Sequence, residues 1–220
     1  TMRSPAASWY TAAINNASGV GGAAPAADLY AIKALGANGS GYLSDVIEGI
    51  QWGVANGMRI LNMSLGTASN ILSLEEAVKA AKTAGVTLVV AAGNSGSTVG
   101  YPAAYKEVIA VSATDAGNVI ASFSSRGPEV DLAAPGVSIL STYKGTSYAT
   151  ISGTSMAAPH VAGAAALVMN TAVGASDANG NGRWDPDEVQ AKLQATATNL
   201  GALGFDNLYG WGLVNAFAAV

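Results

Sequence analysis

"GTSMAAPHVAG", Gly153–Gly163, decides how this chain is read. A Gly-Thr turn opens a run of small residues that continues through "AAALVMN", so a long, closely packed helix begins here. Ser155 falls at its N-terminus, where free N–H groups and the helix dipole favour a developing negative charge. A serine or threonine at such a place is also the ordinary helix cap, and an isolated Gly-Thr-Ser reads more often as that. His160 is the only histidine in the chain. It cannot serve Ser155 as a base from the same helix. Five residues turn through about 500°, so the two side chains diverge by roughly 140° and rise about 7.5 Å. A base must come within about 3.2 Å of the proton it takes.

Outward from this stretch, strand and helix patterns alternate. "AADLYAIKALG" is an apolar, strand-like run ending at Gly36. In "LSDVIEGIQWGVANG", Val46, Ile47, Ile50, Val54 and Ala55 recur at helical spacing, and Asn56-Gly57 stops the helix. "RILNMSLG" is a short buried strand. "SLEEAVKAAKTAG" is a second helix, with Ser73 as N-cap, Glu75 and Glu76 in the first turn, and Gly85 as the stop. "VTLVVAAGN" and "EVIAVSATD" are continuous apolar runs, as strands covered on both faces require. The alternation predicts an α/β fold with a mostly parallel central sheet between helices, as one domain over residues 1–220. Sites in such folds lie at the C-terminal ends of strands, which here carry "SLG" and "AAGNSG".

The totals narrow the function classes. The chain has 220 residues, half of them hydrophobic and 11% charged, against about 25% charged in an average domain. That composition belongs to a folded, densely packed chain. A net charge of −4 and an isoelectric point near 4.8 argue against nucleic acid and acidic membranes as partners. With no cysteine, disulfides and thiolate zinc sites are excluded. No apolar run reaches the roughly 18 residues of a membrane span. "TMRSPAASWYTAA" lacks the basic-then-apolar order of a signal peptide, so a signal for export would lie outside this chain.

Six stretches in order, "YAIKALGANGSG", "GIQWGVANGMRILNMSLG", "VVAAGNSG", "GYPAAYKEVIAVSATD", "ASFSSRGPEVDLAAPGVSI" and "GTSMAAPHVAGAAAL", closely resemble the subtilisin-like serine proteases. The resemblance runs from about Ala12 to "LYGWGLVNA". It implies a three-layer subtilisin-like fold and cleavage of an extended polypeptide through an acyl-serine. It implies Ser155 as nucleophile and Asn94 as side-chain donor to the oxyanion, beside the Ser155 N–H. Ser64, Leu65 and Gly66 match the strand that pairs with substrate, and Gly39, Ser40 and Gly41 the opposite wall. Ala91, Ala92 and Gly93 match the pocket for the residue before the scissile bond. Tyr101-Pro102 matches a cis peptide bond, and His160 a buried structural histidine. Secretion is expected on the same ground.

The chain departs from the family at the N-terminal side. The family's catalytic histidine belongs to a His-Gly-Thr-His-Val-Ala-Gly motif; its place falls near Arg3, where the chain reads "RSPAASWYTAA". The family's catalytic aspartate lies upstream of that, and Asp28 and Asp45 sit in other motifs. A serine hydroxyl without a base is a weak nucleophile. Loss of triad members leaves about 10³–10⁴-fold acceleration over water, a figure that comes from subtilisin itself. Three readings follow: a piece of a dissected protease whose N-terminal fragment is a separate partner; a truncated product with a rebuilt first section, prone to self-association through an exposed sheet edge; and a non-catalytic peptide-binding relative. Weak esterase activity is the enzymatic alternative.

"DANGNGRWDPDE", Asp177–Glu188, fits D-x-[DN]-x-[DN]-G-x5-E without a departure. Calcium takes six to eight hard oxygens around a sharp turn. Asp177, Asn179 and Asn181 offer side-chain oxygens, Arg183 its carbonyl, Asp185 a direct or water-borne ligand, and Glu188 two oxygens. Pro186 opens the helix that follows. The alternative is a polar surface loop. By family resemblance "INNASGVGG" is a second calcium loop, with carbonyls from Ile14, Ser18 and Val20 and the side chain of Asn16.

Overall fold

The computed structural model describes residues 2–3, 20–143 and 147–220. Strand β1 (Met2–Arg3) pairs antiparallel with β2 (Ser40–Gly41). Helix α1 (Leu43–Ala55) buries Val46, Ile50 and Gly53 and ends where Gly57 takes a φ of 70°. Then come β3 (Ile60–Met63), α2 (Leu72–Thr83), β4 (Thr87–Ala91), β5 (Ile109–Thr114) and β6 (Leu132–Pro135). β7 (Ile139–Thr142) and β8 (Tyr148–Ile151) form a separate antiparallel ladder. α3 (Thr154–Met169), a single 3₁₀ turn (Gly174–Ser176), α4 (Pro186–Ala195) and α5 (Ala216–Ala219) complete the order.

The central sheet has the order β3-β4-β5-β6, parallel throughout. β4 shows why its sequence could only be a core strand. Leu88 and Val90 face the layer of α1 and α2, while Val89 and Ala91 face the layer of α3 and α4. All five β4 residues are buried, and each large apolar side chain withdrawn from water contributes about 1.5–3 kcal/mol. α3 lies under the sheet, buried on nearly every side, as a helix apolar all round must be. Gly163 permits this closeness: a Cβ there would stand 2.7 Å from the Ala23 Cβ.

Two local expectations are corrected. α2 starts earlier than its sequence signals. Its N-cap is Ile71, which makes no side-chain cap; the Tyr105 hydroxyl accepts from the Ile71 N–H at 3.2 Å. Ser73 therefore sits inside the first turn, since a tertiary contact has set the boundary. The "AADLYAIKALG" run is not a strand. Its apolar side chains Ile32, Ala34 and Leu35 do pack on the core, yet among the described residues its backbone meets a strand only at its end, where the Gly36 N–H donates to the Ser40 carbonyl of β2 at 2.8 Å.

Candidate active site

Ser155 lies in the first turn of α3, 4% exposed. Its hydroxyl donates to the Ser64 carbonyl at 3.4 Å, its only hydrogen bond among the described residues. In return the Ser64 hydroxyl donates to the Ser155 carbonyl at 2.9 Å. The second contact has a cause inside the helix. Pro159 has no N–H, so the carbonyl four residues earlier, that of Ser155, loses its helical partner. The strand end after β3 thus completes α3 and fixes Ser64 against Ser155.

Asn94 follows β4, held by Thr154. Its Oδ1 accepts from the Thr154 N–H and the Thr154 hydroxyl, both at 2.9 Å. A backbone N–H can only donate, so the oxygen must be the atom on Thr154 and Nδ2 the free end of the amide. The Thr154 hydroxyl also accepts from the Gly93 N–H at 3.1 Å. Gly93 itself has a φ of 113°, and a Cβ there would approach the Ser125 hydroxyl to 2.9 Å. Beside Ser155 are therefore two donors with no partner among the described residues: Asn94 Nδ2 and the Ser155 N–H. The sequence reading did not single out Thr154; its hydroxyl next to Ser155 was the available signal.

These groups open onto a cleft of about 920 Å³. Ala91, Ala92 and Gly93 line it with Asn94 and Ser155, as do Leu65-Gly66 and Gly39-Ser40. No charged side chain lines it among the described residues. Leu65 and Gly66 make no backbone hydrogen bond to other described residues. Ser40 and Gly41 are paired with Arg3 and Met2. The Tyr101-Pro102 bond is cis, and Tyr101 and Thr67 exchange two backbone hydrogen bonds of 2.8 Å at the cleft's edge.

His160 sits apart from this cleft. Its Nδ1 is 2.8 Å from the Met156 carbonyl, one turn back on α3. A carbonyl can only accept, so Nδ1 carries a proton and donates; burial lowers the His160 pKa below the ordinary 6.5, opposed in part by that hydrogen bond. A second shielded titratable group, Asp131, joins the sheet to α4. Its Oδ2 accepts from the Ala110 N–H at 2.8 Å, and its Oδ1 accepts from Gln190 and Gln194 at 2.8 and 3.0 Å. Burial pushes its pKa up to about 6.

The Asp177–Glu188 loop is a compact turn pinned to the core. The Asn181 and Gly182 N–H groups donate to the Asp177 carboxylate at 3.0 and 2.9 Å. The side chains of Asn179 and Asn181 meet on Asp185 Oδ2, each at 2.6 Å. Glu188 accepts from the Ala178 and Asp185 N–H groups, forming a capping box at the start of α4. Arg59 donates to the Trp184 carbonyl, and Lys82 pairs with Asp187 at 2.6 Å. Among the described residues no three His, Cys, Asp or Glu side chains gather as a metal site. The convergent atoms of this loop are two amides and one carboxylate. Of the second expected loop, Ile14, Asn16 and Ser18 lie outside the described residues and Val20 alone is described.

A helix-terminal serine beside an oriented amide at the ends of parallel strands is the arrangement of a serine-hydrolase type of site. Comparison with known proteins places the chain within that class. Residues 5–212 match the model of the subtilase family. Subtilisin Savinase of Lederbergia lenta is 50% identical over 209 residues, covering 94% of this chain and 73% of that protein. An alkaline protease of Shouchella clausii is likewise 50% identical over 94% of this chain and 52% of its own length. Subtilisin DY of Bacillus licheniformis is 47% identical over 213 residues, covering 94% of this chain and 73% of that protein. The chain belongs to the subtilase family of serine proteases.

Proposed function

We propose that this chain carries the nucleophilic half of an endopeptidase site whose general base comes from polypeptide outside these 220 residues. One observation carries the reading: the Ser155 hydroxyl stands beside two donors with no partner among the described residues, its own N–H and Asn94 Nδ2. In the reaction, the base takes the Ser155 proton while Oγ bonds to the substrate carbonyl carbon. The carbonyl oxygen gains the negative charge, and the two donors stabilise it. Collapse expels the amine with a proton returned by the base, and water then releases the acid from Ser155. Thr154 acts as a positioning residue by holding the amide. The substrate is an extended polypeptide that adds as a strand along Ser64-Leu65-Gly66, with Gly39-Ser40-Gly41 on the other side. An uncharged side chain enters the Ala91-Ala92-Gly93 pocket.

The only histidine is committed to Met156, so the chain alone should release nitrophenolate from an activated ester slowly and leave casein intact. A nitrophenyl ester assay, a casein assay and Ser155→Ala decide this. Ester turnover that survives Ser155→Ala removes the nucleophile assignment. Casein hydrolysis by the chain alone places a base within it. Extended-peptide binding that survives Ser155→Ala, with no turnover of either substrate, favours a peptide-binding pseudoenzyme.

Calcium in the Asp177–Glu188 loop belongs to the same proposal. Asp177, Asn179, Asn181 and Asp185 would present side-chain oxygens, Arg183 its carbonyl and Glu188 its carboxylate. The convergence of three of these side chains, with Gly182 at a φ of 76°, fits a hard cation, and the ion would stabilise the loop. The loop at Ile14, Asn16, Ser18 and Val20 is proposed on family resemblance alone, as is an extracellular location. No described helix is long and apolar enough to cross a membrane.

A further inference from the structure

An asparagine followed by glycine lets a backbone nitrogen attack the side chain of the residue before it. Glycine has no Cβ to hold its N–H away from the preceding amide, and it reaches conformations closed to other residues. The chain holds four such pairs: Asn38-Gly39, Asn56-Gly57, Asn179-Gly180 and Asn181-Gly182. Tertiary structure separates them by the engagement of the glycine nitrogen. Gly39 is buried, and its N–H donates to the Gly36 carbonyl at 3.0 Å. The Gly57 N–H donates to the Val54 carbonyl at 3.1 Å, and Asn56 Nδ2 donates to the Trp52 carbonyl at 2.8 Å. The Gly182 N–H donates to Asp177 Oδ2 at 2.9 Å. Of the four, the Gly180 N–H alone makes no hydrogen bond among the described residues. Gly180 is exposed, has a φ of 74° and stands in open space.

The Asn179 side chain is held at both ends. Its Oδ1 accepts from the Asn181 N–H at 3.1 Å, and its Nδ2 donates to Asp185 Oδ2 at 2.6 Å. A donor on Oδ1 draws charge from Cγ and stabilises the oxyanion that forms when a nucleophile adds there. We propose that Asn179 is a site of spontaneous covalent modification, where the Gly180 nitrogen displaces the side-chain nitrogen of Asn179 as ammonia. The Gly180 nitrogen bonds to Asn179 Cγ, the Cγ–Nδ2 bond breaks, and the proton lost from Gly180 departs with Nδ2. Water then opens the cyclic imide at either carbonyl. One opening leaves an ordinary aspartate, the other an isoaspartate with the backbone routed through the side chain. No oxidant or reductant takes part. The consequence for the loop rests on the calcium reading above. An aspartate keeps the D-x-[DN]-x-[DN]-G spacing and adds a negative charge for a hard cation, whereas an isoaspartate lengthens the turn and misplaces its oxygens. A cation bound through Asn179 Oδ1 opposes ring closure, so loss of calcium starts the modification.

The test is peptide mapping by mass spectrometry on the whole wild-type chain, incubated folded at mildly alkaline pH with calcium or with a chelator. Fragmentation reads the exchange of amide for acid at each asparagine separately, and distinguishes isoaspartate from aspartate. The four Asn-Gly pairs are one another's controls, so no variant is needed. In chelator, Asn179 should convert at least about fivefold faster than Asn38, Asn56 or Asn181, the factor that giving up one net hydrogen bond represents. Calcium at 100 times its dissociation constant leaves about 1% of the loops empty, so conversion of Asn179 should then slow at least about tenfold. Asn38 and Asn56 should keep their rates. No conversion at Asn179, or conversion no faster than at the other three, overturns the proposal. Asn179 leading at one rate with and without calcium upholds the modification site and overturns the calcium reading, so the two fail separately.

Discussion

The Ser64 hydroxyl donates to the Ser155 carbonyl at 2.9 Å, the carbonyl that Pro159 leaves without a helical partner. A cleft residue thereby also closes a gap in the central helix. Ser64→Ala removes the donor from a buried acceptor, which costs about 1–3 kcal/mol. Urea denaturation should show this as a lower midpoint at unchanged slope. A change under about 0.5 kcal/mol, the range of ordinary surface substitutions, would mean that another group satisfies the carbonyl.

Asn94 Nδ2 has no partner among the described residues, because Thr154 holds Oδ1 through two hydrogen bonds. Asn94→Leu should lower Ser155-dependent ester hydrolysis by about 10²–10³-fold with KM little changed, a range that comes from subtilisin itself and not from this geometry. Thr154→Val keeps the shape and removes the hydroxyl. It should depress kcat and again spare KM, because orientation of the amide matters only when charge develops. An increase in KM alone would assign Asn94 to ground-state binding.

Asp131 gives a pH-dependent stability with a definite sign. Its pKa rises on folding from 3.8 to about 6, chiefly through burial. A raised carboxyl pKa means the folded state resists the charge, so the penalty is absent below about pH 4, grows to pH 6 and is complete above it. At about 1.36 kcal/mol per unit this amounts to as much as about 3 kcal/mol. The neutral amide introduced by Asp131→Asn can accept from the Ala110 N–H and donate to turned Gln190 and Gln194 amides. That variant should therefore be more stable than wild type at pH 8 and equal to it at pH 4, in thermal melts across that range. A constant difference at both ends would place the effect in packing.

His160 has the opposite linkage. Burial depresses its pKa, so stability from the neutral ring holds above pH 6.5 and is lost as pH falls below it. His160→Gln should blunt that acid sensitivity and leave ester hydrolysis within about threefold, against the 10²-fold or larger loss on removing a general base. A loss of that larger size would restore His160 to the chemistry.

For the Asp177–Glu188 loop, calcium at 100 times its dissociation constant would stabilise the fold by about 2.7 kcal/mol. At roughly 2–4 °C per kcal/mol for a chain of this size, the melting temperature should rise by about 5–11 °C. Chelation should reverse the rise, and Glu188→Gln should abolish it. A melting temperature indifferent to both calcium and chelator would leave the loop as a polar turn held by its own Asn and Asp side chains.

Much of the architecture is local in origin and so is legible along the chain. β4 and β5 announce themselves because a strand covered on both faces must be apolar at every position, and α1 because its core contacts recur every three or four residues. The start of α3 at the Gly-Thr turn, and the failure of His160 to reach Ser155, follow from helix geometry alone. Tertiary structure decided what depends on partners distant in sequence. Ile71 rather than Ser73 opens α2 because Tyr105 reaches it, and Thr154 became part of the site only when β4 carried Asn94 to it. The stretch "AADLYAIKALG" has a strand's composition and no ladder among the described residues. A helix satisfies its hydrogen bonds within itself, whereas a strand exists only when a neighbour supplies the other half of each bond.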